Sequence, residues 1–335
     1  MAGPPPIVIQ FSGWFLLAVA AVVIIARLYL RLKIQKRKLI TSDIFMCSAW
    51  VSGASVASLN VYLEHLGVLE PDLKTDMVAF KGDPKSIPRI FKTFWMSNVP
   101  FSTTLYLSQA TLLSMYLKMF PEFMLKRRIF LWATIVYVAA AYITSMSLVF
   151  FICNPIDQIW KPTPGSNCSI GRGNLVFVVN WAIHIVADIL VFFLPWLVIT
   201  GLKMRWTLRI GLYCTFLLGI INIIFDTFRF VLIRTSYVGQ PISTGLITLW
   251  STLDCNIGIV IACLPALRPY FSASESSQDD LERYSTRQFQ TPLKAMHTGA
   301  TALFNKNGRD EHWDDTRKSN GSDAQLVQGE PRELI

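Results

Sequence analysis

The sequence predicts an all-α membrane protein, a seven-transmembrane helix bundle with a disordered C-terminal tail, and three observations point there. Seven apolar stretches each approach or exceed the length of about 20 residues that a helix needs to cross a bilayer. Of the 335 residues, 52% are hydrophobic and only 16% charged, where soluble domains carry roughly 25% charged residues. Mean hydropathy is +0.42. The third observation is more specific. Three consecutive apolar stretches carry ionisable residues well inside them: Asp188 in the fifth, Asp226 and Arg229 in the sixth, Asp254 in the seventh. A charge at bilayer depth costs at least about 2.5–3.5 kcal/mol, so such residues face a bundle interior.

The spans run at about 8–30, 43–63, 94–118, 129–152, 174–200, 208–233 and 245–267, which makes residues 1–271 a single seven-transmembrane domain. The first span is read as retained. Its apolar run exceeds the roughly 7–15 residues of a signal peptide, and no basic segment precedes it. Arg27, Arg31, Lys33, Lys36, Arg37 and Lys38 follow it, Lys126, Arg127 and Arg128 follow the third span, and Lys203, Arg205 and Arg209 follow the fifth. The positive-inside rule puts these three loops in the cytoplasm, with the C-terminus cytoplasmic and the N-terminus exoplasmic. The loop between spans 2 and 3 mixes Lys74, Lys81, Lys85, Arg89 and Lys92 with five acidic residues.

Cys47, Cys214, Cys255 and Cys263 fall inside spans, where buried thiols are ordinary. Cys153 and Cys168 bracket an exoplasmic loop, and an oxidising lumen favours a disulfide between them. Asn167-Cys168-Ser169 is a formal glycosylation sequon whose Asn abuts that bridge. From Ser272 to Ile335 the apolar runs stop and Ser, Asp, Gln, Arg and Asn take over, a composition that cannot bury enough surface to order itself. That segment reads as a disordered cytoplasmic tail. Basic residues outnumber acidic ones before it and the reverse holds within it. The pI of about 9.3 thus reflects membrane flanks, with no basic and aromatic surface suited to nucleic acid.

Several landmarks follow one another in a defined order and spacing. They are Ala26-Arg27-Leu28-Tyr29-Leu30-Arg31 with Ser42-Asp43 at the next span, and Cys153-Asn154-Pro155-Ile156-Asp157-Gln158-Ile159-Trp160 with Cys168. Asp188 with Leu194-Pro195, Leu218-Gly219 with Arg229, Trp250-Ser251, and Cys263-Leu264-Pro265-Ala266-Leu267-Arg268-Pro269 complete the set. Together they resemble the fungal rhodopsin-like seven-transmembrane integral membrane proteins, and the resemblance covers roughly residues 8–270. It implies the seven-span fold and a setting in secondary-metabolite (mycotoxin) gene clusters more firmly than an activity. Asp254 departs from the Glu usual in the family, shortening the reach by one methylene.

Asn180, His184 and Asp188 recur every fourth residue and so share one face of span 5. Asp226 and Arg229 are three apart on span 6 and can pair on that helix. With Asp254 they form the candidate ligand-binding set, and Gln109, Asn222 and Asn256 add polar groups at similar depth. The natural assembly is a polar cavity open toward the outer face. The plainer alternative is that these groups hydrogen-bond neighbouring helices, at about 0.6–2 kcal/mol each. Trp95, Trp181, Trp196 and Trp250 lie near span ends, where interface anchoring explains them as well as ligand stacking does.

No cofactor is expected. The last span contains no Lys, so it cannot form a retinal Schiff base, and no metal, phosphate-loop or dinucleotide fingerprint appears. Three functions stay open. The chain is a receptor-like protein or an accessory of a biosynthetic cluster, binding a small lipophilic ligand or pathway intermediate and contacting cytoplasmic signalling or pathway proteins. Alternatively it is a membrane enzyme whose desolvated acid starts a cyclisation or isomerisation, or an accessory that moves a metabolite.

Overall fold

The computed structural model describes residues 3–34, 41–78, 80–119, 125–161, 170–199, 206–237 and 242–263. Each expected span becomes one helix. These are α1 (Pro6–Tyr29), α2 (Thr41–His65), α3 (Ile87–Met119), α4 (Leu125–Phe151), α5 (Ile170–Ile199), α6 (Trp206–Tyr237) and α7 (Thr244–Cys263). Pro6 opens α1 at a position where its missing N–H would have no helical partner anyway. A π-helical turn, Leu30–Ile34, ends that helix. Among the described residues there is no strand, only a bridge between Lys74 and Ser243. α3 starts at Ile87 rather than near 94, and α6 runs on to Tyr237 rather than 233. Both differences are extra helical turns at the ends of the apolar runs. Residues 264–267 of the seventh span and the whole tail 272–335 lie outside the described residues.

Six of the seven helices are long and apolar enough to cross a membrane, and α3 is the exception. Its place in the bundle supplies the reason. α3 packs against α2, α4, α5 and α7. It can therefore carry buried Ser102, Thr104, Ser108, Gln109 and Thr111 without exposing them to lipid. Three of their hydroxyls return to the helix itself: Thr104 Oγ1 donates to Pro100 O, Ser108 Oγ to Thr104 O, and Thr111 Oγ1 to Leu107 O, each at 2.8 Å. Pro100 O also accepts from Ser52 Oγ of α2 at 2.9 Å.

The outer helices show the opposite pattern. On α1, Val8, Phe11, Phe15, Val22, Ile25 and Tyr29 are exposed, whereas Ile9, Gly13, Leu17, Ala20, Ile24 and Arg27 are buried. Two interleaved stripes at helical spacing, the exposed one the greasier, mark a helix whose solvent is lipid. The protein is a multi-pass membrane protein.

The α2–α3 loop closes one end of the bundle. Thr75 N donates to Ile242 O at 3.0 Å, Thr244 Oγ1 to Val68 O at 2.7 Å, and Gly3 N to Pro71 O at 2.8 Å. Beneath these bonds Val68, Leu69 and Leu73 pack with Ile9, Leu63 and Ile90 into a buried cluster. The charge-rich loop is thus tied to α1 and α7 by its backbone and apolar residues.

Close approach of helices depends on Gly53, where an added Cβ would lie 3.0 Å from Ile259 Cδ1 and 3.6 Å from Leu17 Cδ1. Gly53→Val should push α2 off α7 and cost about 1–3 kcal/mol. Thermal melting in detergent reads this, with Ser55→Val on the exposed face as a near-neutral control.

Candidate functional site

Four helices bring their polar residues to one place. α5 contributes His184 and Asp188 one turn apart, α6 contributes Asp226 and Arg229, α7 contributes Asp254 and α3 contributes Gln109. Arg229 is the hub. Its Nη2 donates to Asp226 Oδ1 at 2.8 Å, and its Nε lies 3.2 Å from Asp254 Oδ2. The guanidinium carbon sits 4.8 Å from the centre of the Phe101 ring, a cation–π contact from α3. Gln109 Nε2 donates to Asp188 Oδ1 at 2.7 Å. His184 Nδ1 lies 3.5 Å from Asp188 Oδ2 and 3.8 Å from Asp226 Oδ2. The His184 ring meets the Tyr106 ring edge-on at 5.4 Å, and Tyr106 Oη is 2.9 Å from Ser145 Oγ. The imidazole is therefore held from α3 as well as from its own helix.

Burial is nearly complete. Asp226 and Asp254 are 0% exposed, His184 5%, Arg229 8% and Asp188 9%. Two carboxylates, Asp226 and Asp254, face one guanidinium, Asp188 faces His184, and at low dielectric their interactions are several-fold stronger than in water. Several atoms of the cluster have no hydrogen-bond partner: both nitrogens of His184, Asp188 Oδ2, Asp226 Oδ2, Gln109 Oε1 and both oxygens of Asp254. Asp254 Oδ2 still pairs as a charge with Arg229 Nε at 3.2 Å, and the Oδ2 atoms of Asp188 and Asp226 lie 3.5 and 3.8 Å from His184 Nδ1.

A cavity of about 60 Å³ adjoins the cluster, lined at its polar end by Gln109, His184, Asp188 and Asn222. Its apolar end is formed by Leu112, Tyr116, Phe192, Phe216 and Ile261. Those residues lie in the C-terminal halves of α3, α5 and α7 and the N-terminal half of α6, toward the basic loops. The cavity therefore lies away from the end that the α2–α3 loop closes. On that side rings fill the space: Trp181 stacks on Phe230 at 3.9 Å, and Trp250 packs on Phe225 and Phe228 at 5.1 and 4.3 Å. As it stands the space admits a few waters. Drug-sized ligands occupy roughly 300–1,000 Å³.

Of the candidate residues, the structure joins His184, Asp188, Asp226, Arg229 and Asp254. Asn180 is half-buried with an unpartnered Oδ1, and the ion pairs that build the cluster do not include it. Asn256 Nδ2 donates to Thr252 O on its own helix, a packing role. Trp95 donates from Nε1 to Val149 O and packs on Phe150 and Trp160. Cys153 is buried and is not among the free thiols, Cys47, Cys255 and Cys263. Cys168 and Asn167, the expected bridge partner and sequon, lie outside the described residues.

Sequence reasoning did not foresee a second ionic cluster, between α1 and α2. Asp43 Oδ1 lies 2.9 Å from Arg27 Nη2, and its Oδ2 lies 2.9 Å from Arg31 Nη1. Arg27 also donates to Ser42 Oγ at 2.9 Å. Arg27 and Asp43 are 3% and 2% exposed. The four-residue spacing of Arg27 and Arg31 was the signal, since it lets both reach one carboxylate at the start of the next helix.

Fold and site together define a multi-pass membrane protein with a fixed ionic centre. The chain belongs to the fungal rhodopsin domain family, which it matches over residues 26–273. It is similar to fugralins biosynthesis cluster protein 2 of Gibberella zeae, 29% identical over 147 residues, or 42% of this chain and 36% of that protein. It is also similar to polyenoic acids biosynthesis gene cluster protein Ba17b of Metarhizium anisopliae, 21% identical over 198 residues, or 56% and 53% of the two chains. The chain thus spans well under two thirds of the relatives' length. No solved structure matches it.

Asp43→Ala would strand two guanidinium groups at the α1–α2 contact. It should destabilise the bundle by about 3–5 kcal/mol. The fraction still soluble in detergent after heating is the readout, with Asp76→Ala in the exposed loop as the silent comparison.

Proposed function

We propose that this chain is a receptor-like or accessory membrane protein of a fungal secondary-metabolite pathway. It binds a small lipophilic ligand or intermediate by a polar group at the buried centre. The observation that carries this reading is the two-sided cavity, with Gln109, His184 and Asp188 at one end and Leu112, Phe192 and Phe216 at the other. Such a lining suits an amphiphile whose head is polar and whose body is apolar. Admitting one requires the rings of Phe192 and Phe216, stacked at 4.2 Å, to move apart. The biosynthetic setting rests on the two relatives, whose names place them in clusters for fugralins and for polyenoic acids. In this reading α3 crosses the bilayer with the other six helices, the N-terminus is exoplasmic and no retinal is used.

A second reading is favoured by one atom. Asp188 Oδ2 has no hydrogen-bond partner and its residue lines the cavity, the position a general acid would need. An enzyme of this kind would isomerise or cyclise a lipophilic precursor.

Both readings need the charge of the centre, because Asn keeps the shape and polarity of Asp but cannot hold a negative charge or deliver a carboxylic proton. In a producing strain, Asp188→Asn and Asp254→Asn should abolish the contribution of the gene to the metabolite profile while the protein still accumulates in membranes. Unchanged profiles in both would mean that the centre is helix glue. Turnover of a precursor by the purified protein would favour the enzyme over the binding protein.

The Cys153–Cys168 bridge belongs to the same reading of topology. It would close a loop of about 15 residues, worth on the order of 3 kcal/mol in the chain-entropy model. Peptide mapping without reductant should recover the two cysteines in one linked fragment. Recovery of both as free thiols would refute the bridge.

A further inference from the structure

The two carboxylates nearest His184 are each held by one oxygen and free at the other. Asp188 Oδ1 accepts from Gln109 Nε2 at 2.7 Å, and Asp226 Oδ1 accepts from Arg229 Nη2 at 2.8 Å. Their Oδ2 atoms make no hydrogen bond, yet both approach the same atom, His184 Nδ1, at 3.5 and 3.8 Å. That nitrogen also has no hydrogen-bond partner, and all three residues are at least nine-tenths buried.

At 3.5 and 3.8 Å these contacts are longer than the roughly 2.7–3.2 Å of an N–H hydrogen bond. Atoms about 2.0–2.2 Å from a tetrahedral metal lie roughly 3.3–3.6 Å from one another, a range that the first contact meets and the second slightly exceeds. One ligand atom from each of His184, Asp188 and Asp226 falls within 4.8 Å of the other two. Formal charge is compatible with a shared ion. With a neutral imidazole, as in a metal ligand, the three carboxylates and Arg229 leave two negative charges that a divalent ion would cancel, whereas without an ion a protonated His184 offsets one of them. Gln109 and Arg229 then serve as the outer groups that orient ligating carboxylates, as such groups do around protein-bound metals.

We propose that His184 Nδ1, Asp188 Oδ2 and Asp226 Oδ2 bind one divalent transition-metal ion inside the bundle. One imidazole and two carboxylates suit zinc, manganese, iron or cobalt better than magnesium or calcium, which favour all-oxygen cages. Asp188 and His184 line the cavity, so the remaining coordination positions face it. They would take water or an oxygen donor of an organic ligand, with the unpartnered Asn222 Oδ1 beside them. This deepens the proposed function by naming what would hold the polar end of the ligand. The test below needs no organic ligand, so its failure would leave the binding reading standing.

The full chain is purified in detergent with a tag that contains no histidine, stripped with chelator, and titrated with Co²⁺. One equivalent should bind and give the visible absorption of a four- or five-coordinate ion, and Zn²⁺ should displace it. His184→Ala and Asp226→Asn should each weaken binding at least about tenfold, since even outer-shell changes cost about 10–100-fold. Replacing His65, His297 and His312 together should leave it unchanged. Should the site variants misfold, pulsed EPR of the Mn²⁺-loaded wild type decides, with coupling to a single imidazole nitrogen expected. Three results would overturn the proposal: no stoichiometric binding by the folded wild type, binding undiminished in His184→Ala, or no imidazole coupling.

Discussion

The structure depends on one guanidinium. Arg229 sits between Asp226 on its own helix and Asp254 on α7, at 2.8 and 3.2 Å, in an interior with no bulk water. Without it, Asp254 at 0% exposure would lose its ion-pair partner, and Asp226, equally buried, would keep only His184 at 3.8 Å. The idealised cost of moving one such ion into low dielectric is on the order of 20 kcal/mol, several even after relaxation. The pair therefore fixes the register of α6 against α7. Phe101 beneath the guanidinium extends the constraint to α3.

Much else follows from having to enclose that centre. α3 occupies the middle of the bundle and is polar enough that composition alone does not mark it as a span. Its hydroxyls bond within the helix, leaving Gln109 to reach Asp188. Rings from α5, α6 and α7 fill one side of the ionic layer, and the α2–α3 loop caps the bundle with its own apolar cluster. The space that remains lies on the other side, toward the basic loops. At the α1–α2 contact the same chemistry recurs with signs exchanged: two arginines share the single carboxylate of Asp43.

Most of this fold was legible in the sequence because a bilayer imposes long apolar runs, and all seven runs became helices. The ends were not, because expected loop residues such as 87–93 and 234–237 carry helix beyond the hydropathy signal. Within the site, the four-residue spacing of His184 and Asp188 and the three-residue spacing of Asp226 and Arg229 placed each pair on one face. Periodicity could not tell which faces meet. Arg229 reaching Asp254, Gln109 reaching Asp188, and Asn180 standing apart are facts of helix rotation and packing. The position of the cavity was not readable for the same reason. Large rings of α5, α6 and α7 occupy the half nearer the α2–α3 loop, and only their packing reveals how much space they leave.

The central claim is that the charges of α6 and α7 act as a unit, and a double-mutant cycle on Arg229 and Asp254 tests it most directly. Arg229→Met, Asp254→Leu and the double variant are compared with wild type by equilibrium unfolding in mild detergent. The account predicts that Arg229→Met is severely destabilising and that adding Asp254→Leu recovers part of the loss, a coupling on the order of 0.5–3 kcal/mol. Strictly additive effects would contradict it and reduce the ionic centre to separate polar contacts.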